Sequence, residues 1–299
     1  MTLPNFGLRA VCATAALVLI LPAALFAGPA PTPSTSQPAP DKSSYHLFNP
    51  TPRAQMREMS TDRPDQTESP YTVDAGHVQV EMDFVKYTYD RHTLDGVRTE
   101  TRNVAPVNVK IGLCNRVDLQ IVLDNYVEER TKDPAARTTE RLSGFGDITA
   151  RLKINFWGND GGPTAFGIMP YVKLPLSASN LRNGETEGGI IVPLAVELPG
   201  GWGMGLMTEV DFVDDGDDGY DTEWVNSITF SHDLTERLGG YVEFVAVTGT
   251  APGFEWQAQA DVGLTYGVTD NIQLDCGCNF GLTRSAPDFQ PFAGISLRF

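Results

Sequence analysis

From Gly76 to the carboxyl terminus the apolar residues recur at every second position, and this period constrains the fold more than any other feature of the chain. In the first such stretch Val78, Val80, Met82 and Phe84 alternate with Gln79, Glu81 and Asp83. The pattern returns at Val107, Val109, Ile111 and Leu113, at Val117, Leu119, Ile121 and Leu123, and at Ile148, Ala150, Leu152, Ile154 and Phe156. Trp256, Ala258, Ala260, Val262 and Leu264 repeat it near the end. Each stretch reads as a strand with one apolar face and one polar face, which suits any half-exposed antiparallel sheet, a soluble sandwich included.

The connections separate those alternatives. Alternation predicts about twelve strands, over 75–89, 97–113, 117–127, 144–157, 164–175, 188–198, 202–213, 222–232, 236–248, 255–266, 272–281 and 290–299. Pro106 and Pro193 interrupt the second and the sixth. Short turns at 114–116, 158–162, 199–201, 233–235 and 267–271 alternate with mostly longer polar loops at 90–96, 128–143, 176–187, 214–221, 249–253 and 282–289. Short turns on one side, long loops on the other and an even strand number describe an all-β, transmembrane antiparallel β-barrel with both termini in the periplasm. No later run reaches the roughly 18 to 20 apolar residues of a spanning helix, so a closed barrel is the form in which this chain could cross a bilayer.

Tryptophans test the same reading, because such barrels carry an aromatic girdle at each membrane surface. Trp157 and Trp202 adjoin short turns, and Trp224 and Trp256 adjoin long loops.

The segments before the strands differ in kind. Arg9, the apolar run 10–26 and Ala27 read as a signal peptide over 1–27, and Pro22 argues against a retained anchor helix. Residues 28–44, rich in Pro, Ser, Thr and Ala, form a disordered linker. The stretch 45–74 is extended and broken by Pro50, Pro52, Pro64 and Pro70, yet it carries Arg53, Arg57, Asp62, Arg63, Asp65 and Glu68. It is expected to fold into the periplasmic mouth of the barrel, 75–299, as a plug or gate through Asp62, Arg63 and Asp65. The alternative is a tether lying outside.

Strand parity turns a set of charges inward: Glu81, Asp83, Arg98, Arg102, Lys110, Asp118, Arg151, Lys153, Glu209 and Asp261 among them. They read either as a polar path for a solute or as an ion-pair network filling a narrow lumen. Lys+Arg 22 against Asp+Glu 38 gives a net charge of -16, which argues against a nucleic-acid partner. Among His46, His77, His92 and His232 no catalytic constellation forms, and adjacent Ser231 and His232 point to opposite faces of a strand. The chain is therefore not read as an enzyme, and no cofactor is expected. The acidic loop 214–221 lacks the spacing of a calcium-binding EF-hand loop and reads as a solvated outer loop, with calcium binding as the alternative; Cys114, Cys276 and Cys278 give no metal pair, and no metal ligand is assigned.

Several motifs together resemble a known family. Ser60-Thr61-Asp62-Arg63-Pro64-Asp65 is followed by Thr67-Glu68-Ser69-Pro70, then by Gly144-Phe145-Gly146-Asp147 and Pro170-Tyr171-Val172-Lys173-Leu174-Pro175. In order and spacing they are similar to an outer-membrane family of transport proteins named for the meta-pathway of phenol degradation. That resemblance covers about residues 62–299. It implies passive uptake of small solutes, aromatic or hydrophobic compounds among them, across the outer membrane of a Gram-negative-type bacterium; the alternative is a non-conducting structural or surface-interaction barrel. Ile295, Leu297 and the terminal Phe299 resemble the signal read by the barrel assembly machinery. The expected partners are thus that machinery, outer-membrane lipid and a small-molecule solute.

Overall fold

The computed structural model describes residues 41–91, 96–176, 185–216 and 219–299. The expected signal peptide, the linker up to residue 40, His92, Asp217 and Asp218 lie outside these residues.

Among the described residues fifteen strands form one antiparallel sheet. They are β1 (Val78–Arg91), β2 (Arg98–Val104), β3 (Val107–Cys114), β4 (Val117–Leu123), β5 (Tyr126–Asp133), β6 (Thr138–Gly144) and β7 (Ile148–Trp157). There follow β8 (Thr164–Leu174), β9 (Glu187–Leu198), β10 (Trp202–Asp214), β11 (Tyr220–Asp233), β12 (Leu238–Gly249), β13 (Gln257–Thr269), β14 (Ile272–Gly281) and β15 (Phe289–Arg298). The sheet closes on itself because β1 pairs with β15, from Gln79↔Arg298 to Tyr89↔Phe289.

Fifteen strands make twelve staves, because three staves are broken in two. β1 pairs with β3 along its first half and with β2 along its second. β4 and β5 continue that division, pairing with β3 and β2 respectively, and β6 and β7 divide the next stave. The β2–β3 break falls at Pro106, which has no N–H to donate, and at Ala105, whose φ of 53° is a left-handed conformation outside any strand. Asn125 holds the freed Ala105 carbonyl at 2.6 Å. Pro193, by contrast, stays within β9, and the β8 ladder passes over it from Phe166↔Leu194 to Met169↔Ile191.

The expected loop 128–143 is instead mostly the β5–β6 hairpin. Asp133 closes its turn by accepting the amides of Ala135 and Ala136, and Arg137 takes the positive φ that a tight turn requires. β6 pairs with β5 alone, so this hairpin stands beyond the wall on the side away from the termini.

The faces are inverted relative to a water-soluble domain. Gln79, Glu81, Lys110, Asp118, Gln120, Lys153 and Asp261 are buried within the barrel, while Phe84, Phe156, Ile190, Phe212, Val242, Val262 and Phe280 are exposed on its outside. Burial of this many charges with apolar side chains facing out is stable only where lipid, not water, surrounds the wall. The chain enters β1 and leaves β15 at one rim, beside the short turns, and that rim is the periplasmic one. Trp157, Trp202, Trp224 and Trp256 are all exposed on the outer surface, with Trp157 stacked on Phe166 and Trp202 on His232, both at 4.7 Å.

Some of the expected inward charges are placed elsewhere. A bulge between Asp83 and Val85 and the break at Ala105-Pro106 each shift the alternation by one residue. Lys86, opposite the inward Phe292, and its partner Asn103 therefore face in. Arg98 and Arg102 share the outward face with Val85 and Val104, and both arginines are exposed.

Candidate functional site

The lumen is occupied by the chain itself. Residues 57–77 run inside the periplasmic half of the barrel, and 41–56 lie at its mouth, where Phe48 is exposed, His46 bridges to Cys114 and Arg53–Gln55 form a short 3-10 turn. Strand ladders cannot satisfy the polar groups of this segment, so inward side chains of the wall do.

At the periplasmic rim Lys42 reaches Asp160 at 2.9 Å and Asp74 at 3.4 Å. Arg57 bonds the same Asp160 at 3.2 Å and the Asn115 side chain at 2.9 Å. Asp160 lies in the turn between β7 and β8. Burial pushes its carboxyl up, but hydrogen bonds from Asn115 and Lys42 and the Arg57 charge outweigh that effect and hold its pKa below the usual 3.8. Asp74 approaches β3 so closely that a Cβ at Gly112 would collide with its carbonyl.

Deeper in, Asp62 is the hub. One oxygen lies 2.5 Å from Lys153 of β7, the other contacts Lys110 of β3, and its amide donates to Glu81 of β1. Lys110 also pairs with Glu81 at 2.5 Å, and the Val73 amide donates to Asp118 at 2.9 Å. Neighbouring Arg63 bridges Asp83 at 2.7 Å and Asp275 at 2.6 Å and lies over the Phe292 ring at 5.8 Å. A Cβ on Gly294 would collide with this guanidinium, so the glycine makes its berth.

Further along, the segment crosses to the opposite wall. The amides of Gln66 and Thr67 both donate to Glu243 of β12 at 2.8 Å. The Thr67 hydroxyl lies 2.6 Å from that of Ser227, on β11. Gln66 donates to Asp261 at 2.6 Å, and Arg151 meets Glu68 at 2.5 Å.

This layer separates two spaces along the β9–β13 wall. On its periplasmic side a cavity of ≈ 430 Å³ is lined by Pro64, Asp65, Gly205, Thr229 and Tyr241. On its outer side a cavity of ≈ 260 Å³ is lined by Met207, Glu209, Asp211, Val225, Val245 and Gln259. Gly205 and Met207, Thr229 and Val225, and Tyr241 and Val245 are inward positions on the same three strands. The layer of Gln66, Thr67, Ser227 and Glu243 is the septum between the two cavities.

Residues 61–299 match the family described as "Putative MetA-pathway of phenol degradation". The chain belongs to that family. Among solved structures, an outer-membrane channel from Pseudomonas putida F1 is similar at 14% identity with a TM-score of 0.59, covering 80% of this chain and 100% of that one. The transport unit of the autotransporter AIDA-I from Escherichia coli is similar at 10% identity and a TM-score of 0.50, covering 80% and 92%. At such identities the likeness shows the fold, that of outer-membrane barrels. No curated protein matches in sequence.

In this member of the phenol-degradation family, the segment meets Glu81, Lys110, Asp118 and Lys153 around Asp62, Asp83 at Arg63, Arg151 at Glu68 and Asp261 at Gln66. Glu209 stands apart from it on the outer cavity, and Asp65 lines the inner one. Parity reasoning over charges missed an inward apolar patch, Met169, Ile191 and Met207 packed with Tyr171 and Val225. Its sequence signal is the unbroken run Ile190-Ile191-Val192, which puts apolar residues on both faces of β9.

Proposed function

We propose that this protein is an outer-membrane channel for passive uptake of small solutes, normally closed by its own segment 41–77. The observation that carries this reading is the septum: two cavities on one wall, divided by a single layer of hydrogen bonds from Gln66 and Thr67. A barrel that served only as scaffold would need neither space. The bonds that make the septum are neutral or singly charged contacts, whereas the segment's flanks are held by buried ion pairs. The layer is therefore the part of the segment that moves most easily.

The outer cavity favours a solute that is apolar or aromatic in part. Met207, Val225 and Val245 offer an adaptable apolar surface, and Glu209 and Asp211 stand beside it as acceptors. Polar groups at one edge and apolar side chains at the other suit a small ring bearing a hydroxyl or amine. The barrel fold and the exposed apolar belt support a place in the outer membrane of a Gram-negative-type cell.

Single-channel recording in planar bilayers tests the proposal. The intact protein is expected to open rarely, and a variant lacking residues 45–70, Gln66 and Thr67 included, to conduct steadily, with a hydroxylated aromatic on the outer side interrupting its current. Should the deletion leave conductance and its pH and salt dependence unchanged while the barrel still assembles, the closing role of the segment is refuted. A barrel that never conducts, with no solute-uptake defect in cells lacking it, is structural.

A further inference from the structure

We propose that the outward face of the β1–β2–β5–β6 sheet binds the phosphate groups of the saccharolipid that forms the outer leaflet of such membranes. The strand registers line up cross-strand rows on this face. Val85, Val104 and the exposed Tyr126 form the lowest row. Above it come Tyr87, Arg102 and Glu128, then Tyr89, Glu100, Arg130 and Arg141, then Arg91, Arg98 and Lys132.

The rows change character at the height where a membrane ends. At ~3.4 Å per residue and a strand tilt near 40°, the path from Val78 to Tyr89 climbs roughly 28 Å, against an apolar band about 25 Å tall. Tyr87 and Tyr89, both packed against Phe289, thus mark the outer boundary, and the basic rows lie at it and just beyond.

Charge is sorted between the two faces of the sheet. The outward rows carry six cations, Arg91, Arg98, Arg102, Arg130, Lys132 and Arg141, against two carboxylates, Glu100 and Glu128. The opposite face carries Asp90, Glu129, Asp133 and Glu140 with Lys86. In a chain of net charge -16 an outward basic cluster runs against the composition, and it stands where a lipid headgroup would meet it.

The cluster also has room and free donors. Glu100, Arg102, Glu128, Arg130 and Arg141 line a recess of ≈ 110 Å³. The carboxylates engage Arg102 at 3.5 Å and Lys132 at 3.8 Å, which leaves Arg130 and Arg141 without an ion pair among the described residues. Arg130 Nε is buried and has no hydrogen-bond partner there. Planar guanidinium groups with open donors are suited to a phosphate, which they can grip through two parallel bonds.

The test uses the whole barrel in detergent, titrated with hexa-acylated lipid A carrying its two phosphates and, separately, with the dephosphorylated lipid. Native mass spectrometry reads the bound fraction, and heat-modifiable migration on a gel reads whether the barrel is folded. The phosphorylated lipid is expected to bind at least tenfold more tightly. Arg130→Ala with Arg141→Ala should abolish that difference, and Arg98→Ala with Lys132→Ala should reduce it. Arg116→Ala with Arg237→Ala, at the periplasmic rim, should leave it intact. Equal binding of the two lipids, full binding by folded variants of the hairpin face, or an equal loss in the periplasmic-rim variant would each overturn the proposal.

Discussion

Asp62 and Lys153, 91 positions apart in the chain, meet at 2.5 Å inside the barrel, and no other ion pair of Lys153 occurs among the described residues. The lysine side chain is fully buried opposite Asp118 of the wall, and the N-terminal segment delivers the carboxylate that pairs with it directly. The wall and the segment are each incomplete without the other.

Removing one partner should therefore cost much more than removing both. Asp62→Ala is expected to destabilise the folded barrel by about 3–5 kcal/mol, and adding Lys153→Met to recover most of that, since a buried pair replaced by apolar groups is often neutral. Denaturant unfolding of the two variants and the native chain in micelles checks the ordering. An equally unstable double variant would show that Lys153 is not the group left stranded.

The periplasmic clip should respond to acid. Because the folded pKa of Asp160 is depressed, its contacts contribute stability that is complete above the unfolded value, about 3.9, and is lost as the pH falls through the lower folded value. Limited pepsin digestion of residues 41–57 is expected to stay slow until the pH drops below about 4. Asp160→Asn should loosen Lys42 and Arg57, which keep Asp74 and Asn115 as partners, and make the same stretch more readily cleaved by trypsin at neutral pH. A variant as resistant as the native chain would place the anchor elsewhere.

Much of this arrangement was legible in the chain and part was not, for reasons that can be named. The period of two reports faces directly, so Glu81, Lys110 and Lys153 could be placed inward and Val80, Ile111 and Ile154 outward from sequence alone. The same rule misplaced Arg98 and Arg102, because a bulge after Asp83 and a left-handed Ala105 each shift parity by one without changing residue type. Pro106 marked the spot but not its effect. The hairpin at 126–144 reads as a polar loop because neither of its faces is buried in a core, so its strands lack the apolar alternation that identifies the others. Asp62 could be suspected of docking in the lumen from its charged, proline-broken surroundings. Its partners could not be named, since contacts across 91 residues leave no local pattern.

Once the segment is removed, the remaining lumen should prefer cations. Glu209 and Asp211 face the outer cavity, and the wall's Glu81, Asp83, Asp118, Glu243, Asp261 and Asp275 outnumber its Lys110, Arg151 and Lys153. In the variant lacking residues 45–70, the reversal potential under a tenfold salt gradient should show cation selectivity, and Glu209→Gln with Asp211→Asn should move it toward zero. An anion-selective pore, or one whose selectivity ignores both changes, would remove these carboxylates from the path.

The septum offers the most direct test of the central claim. The Thr67 and Ser227 hydroxyls are 2.6 Å apart, so Thr67→Cys with Ser227→Cys, made in a chain whose native cysteines are replaced by serine, should form a disulfide under mild oxidation. Solute flux into proteoliposomes is then measured on one preparation before and after reduction. The account predicts no flux through the oxidised protein and recovery on reduction to the level of the cysteine-free parent. Equal flux in the two states, with the disulfide verified by mass, would contradict it.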